Sequence, residues 1–329
     1  MRQALGTEAA WAIRTEGLGK RFGAIRALDS VDLRVPAGRI YGFVGPNGSG
    51  KTTAIAIVLG LMRPSEGRVE LLGEPLGSRR YADALSRVGA LVQAPAFYPF
   101  LSGRDNLRVL AASRRPVDDR EIDEALDRVG LLDKAHRRYQ TYSLGMRQRL
   151  AIALALVGRP RLVILDEPTN GLDPVGIQEV RQLIRDLGRS GLTVFLSSHL
   201  LHEVEQVCDE VGVIVHGRLV AQGPVDQQLR TRGLRLRVSA GPVNGRPEAR
   251  DGQLARQAAA YLEALPWRPK VELIDDALWV EAPPERGAEL TRALAQAGIW
   301  VSEMVPVRST LEQYFMELAA ATPGGNGRP

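Results

Sequence analysis

The stretch that most constrains this chain is residues 45–52, G-P-N-G-S-G-K-T. An apolar run, Ile40-Tyr41-Gly42-Phe43-Val44, precedes it, and another, Ala54 to Leu61, follows. Strand, glycine-rich loop and helix in that order are the setting of a phosphate-binding loop. Gly45, Gly48 and Gly50 let the backbone approach a triphosphate with no Cβ in the way, so successive N–H groups can ring the phosphates. The helix then starts under the phosphates with its positive dipole end aimed at them. Lys51 has the reach for the β- and γ-phosphates, and the Thr52 hydroxyl is a hard oxygen ligand for Mg²⁺. Asn47, Ser49 and Thr53 complete the set of candidate nucleotide contacts. The bland reading, a glycine turn that happens to contain a lysine, leaves the flanks unexplained.

Length and composition narrow the setting. A chain of 329 residues predicts about two domains. No apolar run approaches the ~18 residues of a membrane span, and the start, M-R-Q-A-L-G-T-E, lacks the apolar core of a signal peptide. One cysteine, Cys208, leaves no intrachain disulfide and no thiolate metal cluster. A cytosolic protein that uses ATP or GTP is expected. The net charge of +5 is spread over scattered arginines without interleaved aromatics, so nucleic acid is not implied.

Read in order, residues 11–16 alternate as a strand, with Phe22 at its end before a glycine. Phe22 is either a core residue or an aromatic platform for a purine base. Residues 31–35 alternate as a second strand. Residues 69–72 form another, a polar helix runs to about Val88, and a short strand over 88–95 ends at Gln93. Residues 104–158 are helical in pattern, broken by glycine and proline. Leu162-Val163-Ile164-Leu165 is a buried strand that ends in Asp166-Glu167. A strand delivering a carboxylate beside a phosphate-binding loop is the usual Mg²⁺ arrangement. Asp166 is then the metal carboxylate and Glu167 the base that polarises or positions the attacking water. Pro174–Gly188 reads as a helix and Thr193–Ser197 as a buried strand. His199 follows at the carboxyl edge, where open α/β sheets bind ligands. His136, His202 and His216 carry the ordinary structural expectation. Two strands, 211–215 and 217–220, close this part around a glycine turn.

Together these pieces resemble the nucleotide-binding subunit of an ABC transporter over residues ~11–225. Phe22 matches the aromatic A-loop, 45–52 the Walker A, and Gln93 the Q-loop glutamine, which in the family touches Mg²⁺ and the membrane subunit. Y-S-L-G-M-R-Q-R, residues 142–149, occupies the place of the LSGGQ signature, L-V-I-L-D-E the Walker B, N-G-L-D at 170–173 the D-loop, and His199 the switch histidine. The signature departs from its usual form at Leu144 and Met146, but Ser143 and Gly145 survive. With A-P-A-F-Y-P at 94–99 and S-G-R-D-N-L at 102–107, this form is similar to bacterial bacitracin- and daunorubicin-resistance ATPases.

The resemblance implies an α/β P-loop NTPase fold with a helical subdomain at about 100–158. It implies hydrolysis of ATP with Mg²⁺, with Glu167, His199 and Gln93 catalytic, Thr52, Gln93 and Asp166 at the metal, and Ser143, Gly145 and Asp173 among the nucleotide contacts. It also implies a homodimer, or a heterodimer with a similar ATPase. That dimer would drive a separate membrane permease from the cytoplasmic side, exporting drugs, antibiotics or lipids. A soluble ATPase of this class acting on ribosomes or DNA is the alternative. The single cassette, the missing coiled coil and the lone cysteine weigh against it. Small-molecule kinases leave 142–149 and 170–173 unexplained. A regulatory binder has no use for Glu167 and His199.

Composition shifts after Gly223-Pro224. The expected order over 230–321 is βαββαβ, a small α+β, ferredoxin-like accessory domain with a dimer-stabilising or regulatory role. A last helix at 310–319 and a disordered tail at 322–329 follow. Trp267, Trp279 and Trp300 belong either to its core or to a ligand pocket.

Overall fold

The computed structural model describes residues 11–92, 95–113, 116–228, 231–239, 242–243, 246–247, 252–274, 276–308 and 310–311. It divides into two compact units, which meet in sequence at Val225 and Asp226. Gln93, most of the expected helix at 310–319 and the tail at 322–329 lie outside the described residues.

The first unit is built on a six-stranded sheet. Its order is Arg218–Pro224, Glu210–Val215, Ile40–Val44, Thr193–Ser198, Leu162–Asp166 and Val88–Leu91. All neighbours run parallel except the first two, a hairpin. His216 and Gly217 turn that hairpin with positive φ at both positions, the backbone twist a two-residue hairpin turn prefers. The inner strands are buried along almost their whole length, with Asp166 at the end of its strand half-buried, which explains why they read as apolar runs. The Tyr41 and Phe195 rings stack across adjacent strands with centroids 5.8 Å apart.

A second, antiparallel sheet comprises Trp11–Phe22, Ile25–Val31, Glu66–Leu71 and Glu74–Pro75, with Arg34–Pro36 also paired to the first of these. The single strand expected over 31–35 is therefore two, broken at Asp32-Leu33. The Thr15 hydroxyl spans the break, donating to Val31 O at 2.6 Å and accepting from Leu33 N at 2.8 Å. The two sheets close over one core containing Ile13, Leu28, Phe43, Ile55, Leu71 and Ile164.

The helical part comprises Gly103–Ala112, Asp119–Arg128 and Leu144–Leu156. Ser102, Asp118 and Ser143 cap these helices, each accepting from a backbone N–H three residues on. The polar helix expected up to Val88 is shorter, Tyr81–Leu85.

The second unit is a four-stranded antiparallel sheet ordered Val271–Ile274, Ala277–Val280, Thr231–Ser239 and Trp300–Arg308, with helices Gly252–Glu263 and Gly287–Gln296. In chain order this is βαββαβ, the ferredoxin-like pattern. Residues 242–243 and 246–247 pair as short strands. Leu234, Leu236, Leu278, Val280, Leu262 and Leu290 make its core. Trp267 packs at that core and donates to Glu289 Oε1 at 3.0 Å. Trp279 pairs with Arg235, and Trp300, 55% exposed, pairs with Ser239 further along the same strand.

Candidate functional site

The strand Ile40–Val44 delivers the loop at the carboxyl edge of the central sheet, and the helix Lys51–Val58 leaves from it. The loop is shaped to exclude side chains. A Cβ on Gly45 would stand 2.1 Å from Ile214 O, and one on Gly50, where φ is +107°, 2.7 Å from Ala27 O. Gly48 has open space but a φ of +78°. The cleft is walled by Ala27, residues 47–53, Glu167, Asn170 and His199.

Lys51 is buried and donates to Gly45 O at 2.7 Å and Pro46 O at 3.2 Å. Its ammonium also lies 3.4 Å from Glu167 Oε1. Thr52 Oγ1 donates to Asp166 Oδ2 at 3.0 Å. The other carboxylate oxygen of Asp166 accepts a hydrogen bond from the Ser197 hydroxyl. Ser197 Oγ accepts from Glu167 N at 3.0 Å. Glu167 has a φ of +50°, an uncommon conformation for a residue with a side chain. Its Oε2 lies 2.8 Å from His199 Nδ1.

These residues fit a Mg²⁺–triphosphate. Mg²⁺ takes one or two protein oxygens and completes its shell with phosphates and water; Thr52 and Asp166 are two such oxygens, already together. The glycine cradle would be filled by any Cβ at Gly45 or Gly50. Ser49 Oγ, buried beside it, has no hydrogen-bond partner among the described residues.

The structure thus brings together Asn47, Gly48, Ser49, Gly50, Lys51, Thr52, Thr53, Glu167 and His199 in one cleft, with Asp166 adjoining through Thr52. Phe22 is 46% exposed, with the Lys20 ammonium 5.1 Å from its ring centroid, so it is not a core residue. Ser143 and Gly145 do not line this cleft. Ser143 is the exposed N-cap of the helix Leu144–Leu156, and Leu144 beside it is 56% exposed. Asp173 caps the helix Pro174–Arg189, accepting from Gly176 N at 3.1 Å. Sequence reasoning missed Ser197. No local sequence signal marks it, because only the parallel register of the folded sheet sets Asp166 beside Ser197.

Comparison with known proteins places these features. A family model described as ABC transporter matches residues 28–170. The bacitracin transport ATP-binding protein BcrA of Enterococcus faecalis is 35% identical over 318 residues, 96% of this chain and 98% of that protein. The daunorubicin resistance ATP-binding protein DrrA3 of Streptomyces coeruleorubidus is 36% identical over 318 residues, 93% of this chain and 95% of its own. Among solved structures, cbiO1 from Clostridium perfringens, part of the ABC transporter complex cbiONQ, superposes with a TM-score of 0.61 at 28% identity, covering 67% of this chain and 90% of that one. A dimeric post-hydrolysis state of the ATP-binding cassette MJ0796, bound to ADP and Pi, has a TM-score of 0.57 over 65% of this chain and 98% of that one; at 24% identity this is a likeness of fold.

Proposed function

We propose a working cycle for this chain from one premise: it belongs to the ATP-binding subunits of ABC transporters. It is an ATPase coupled to transport, uses ATP with Mg²⁺, dimerises and works with a separate membrane permease. No helix among the described residues is long and apolar enough to cross a membrane. The alternative of a soluble ATPase acting on ribosomes or DNA is not supported.

The observation that carries the cycle is the convergence of Lys51, Thr52, Glu167 and His199 on one cleft, with Asp166 bonded to Thr52. ATP sits on residues 45–53 with its base against Phe22. Mg²⁺, when bound, supplies charge neutralisation to the β- and γ-phosphates, held by Thr52 and Asp166 with Gln93 as a further contact. Lys51 leaves the loop carbonyls for the phosphates. Glu167, freed from Lys51, polarises the attacking water, and His199 orients it. Phosphoryl transfer asks the protein chiefly for such positioning and charge stabilisation. Ser143, Gly145 and Asp173 act across the dimer, so that each ATP is closed between the loop of one subunit and the signature of the other. Contacts to the γ-phosphate made only in the closed state shift the equilibrium there.

The cargo is a drug, an antibiotic or a lipid, exported through the permease. The chain sits peripherally on the cytoplasmic face, where ATP is. The permease docks in an apolar cleft lined by Leu59, Leu61, Leu85, Val88, Leu154 and Val157, beside the strand that leads to Gln93. Residues 11–225 are the ATP-binding domain and 230–321 the accessory domain, which stabilises or regulates the dimer. The test is a tagged pull-down from solubilised native membranes, with and without ATP. Co-purification of a multi-span membrane protein is expected. Recovery with ribosomes or DNA, and no such protein, would overturn the reading.

A further inference from the structure

Glu203 is a buried carboxylate with no part in the cycle above. It stands in the first turn of the helix Leu201–Val207, four residues after His199, and is 8% exposed. Its Oε2 accepts a hydrogen bond from the Thr169 hydroxyl at 2.5 Å, and its Oε1 lies 3.5 Å from the Arg181 guanidinium. Arg181 in turn donates to Gln206 Oε1 at 2.7 Å. Thr169, itself 7% exposed, lies two residues after Glu167. There Asn170 N donates to Glu167 O at 3.2 Å, and Leu172 N to Thr169 O at 3.3 Å.

Burying a carboxylate is costly unless it is fully paired, and apolar residues of similar volume close the same space at no greater cost. Such a group is therefore informative about what it fixes. Thr169 belongs to the turn that carries Glu167 at one end and Asn170 to Asp173 at the other. Glu203 belongs to the segment that carries His199. Beyond the strand pairing and the Glu167 N–Ser197 bond, which hold these stretches where the strands end, this hydrogen bond is a second tie between the two segments that bear the reacting side chains, which are 32 residues apart in sequence.

Glu167 needs such a tie. Its φ of +50° is a conformation that persists only when the surroundings over-determine it. Its own side-chain contacts, to Lys51 and His199, face the cleft and are the ones that change when a γ-phosphate and a water enter. Neither Thr169 nor Glu203 lines the cleft. Their bond therefore lies outside the lining that nucleotide would touch.

We propose that Thr169 and Glu203 form a positioning pair that holds the Glu167 turn against the His199 segment while Glu167 exchanges partners. The proposal rests on the roles given above to Glu167 and His199. Glu167→Gln, measured in parallel, tests the role of Glu167 by itself, because it must lower turnover at least about 10²-fold whether or not the pair matters.

The test uses the full-length chain with ATP and Mg²⁺, reading kcat and KM for ATP together with the thermal midpoint. Thr169→Val keeps the shape and removes the donor. It is expected to lower kcat about tenfold, since small misplacements of reacting groups are expensive, with KM for ATP changed less than about twofold. Thr169→Ser restores the donor and is expected to recover most of the rate. Glu203→Gln keeps an acceptor and should lose less than Glu203→Ala. The double variant Thr169→Val with Glu203→Ala should be no slower than Glu203→Ala alone, the signature of a shared interaction. An unchanged kcat in Thr169→Val, strictly additive losses, or a Thr169→Ser variant as slow as the valine would overturn the proposal. If Glu203→Ala does not fold, the valine and serine variants of Thr169 decide the question by themselves.

Discussion

Glu167 is held between two cationic-capable partners, with Oε2 2.8 Å from His199 Nδ1 and Oε1 3.4 Å from Lys51 Nζ. A water-activating carboxylate must give up at least one of them to reach water, and Lys51 has a competing destination in the phosphates. Replacing Glu167 by Gln preserves the shape and removes the proposed base. Turnover is expected to fall by about 10²–10⁴-fold, the range of general-base contributions. ATP binding should survive, and the ATP-bound dimer should accumulate. Steady-state hydrolysis and size-exclusion chromatography with ATP and Mg²⁺ check both. A variant that stays monomeric at high concentration would sink the dimer cycle.

The loop glycines separate two physical demands. A methyl group on Gly45 meets the Ile214 carbonyl at 2.1 Å, a clash with backbone that cannot swing away. A methyl group on Gly48 meets nothing and carries only the cost of a φ of +78°, roughly 1–2 kcal/mol. Gly45→Ala should therefore lower the thermal midpoint more than Gly48→Ala and abolish binding of a fluorescent ATP analogue. Equal losses in the two variants would show that conformation, not space, governs the loop.

Much of the frame was legible because apolar runs and special residues coincide. The strand at 40–44 is fully buried, and its ends are marked by glycine and by the phosphate-binding loop, so its limits could be read directly. The carboxylates at 166 and 167 were legible because they interrupt an apolar strand. Contacts between distant segments were not. Ser197 touches Asp166 only because two strands lie parallel in one register, and a serine in a buried strand carries no periodic signal. Thr169 and Glu203 meet across 34 residues for the same kind of reason. The break at Asp32-Leu33 was hidden because alternation continues through it. What breaks the strand is a hydroxyl donated from Thr15.

Cys208 offers a probe of this unit. It is buried behind the strand 40–44, and burial, with Asp209 adding to it, pushes its thiol pKa up. The folded state therefore keeps a proton that the unfolded state releases above about pH 8.5. Because the native state binds more protons there, stability falls as pH rises beyond that value. Denaturant unfolding between pH 7 and 10 should show this slope, and Cys208→Ala should reduce it. Labelling by a thiol reagent should be slow in the native protein and slower with ATP, which stabilises the folded state by mass action. Rapid labelling of the native chain would contradict the burial.

Leu61 tests the proposed permease contact. It is 71% exposed and stands at the rim of the apolar cleft formed with Leu59, Leu85, Val88, Leu154 and Val157. An exposed side chain gives little to folding, so Leu61→Asp should change stability by no more than about 0.5 kcal/mol. A carboxylate at the edge of an apolar contact must be desolvated without a partner when the cleft is covered, which weakens association strongly. The expected result is loss of the membrane protein from pull-downs, with ATP binding by the isolated chain unchanged. Transport in cells should fall in parallel, while basal hydrolysis by the purified subunit persists. If Leu61→Asp retains the membrane protein at the parent level, the permease engages another face, and the apolar cleft loses its assignment.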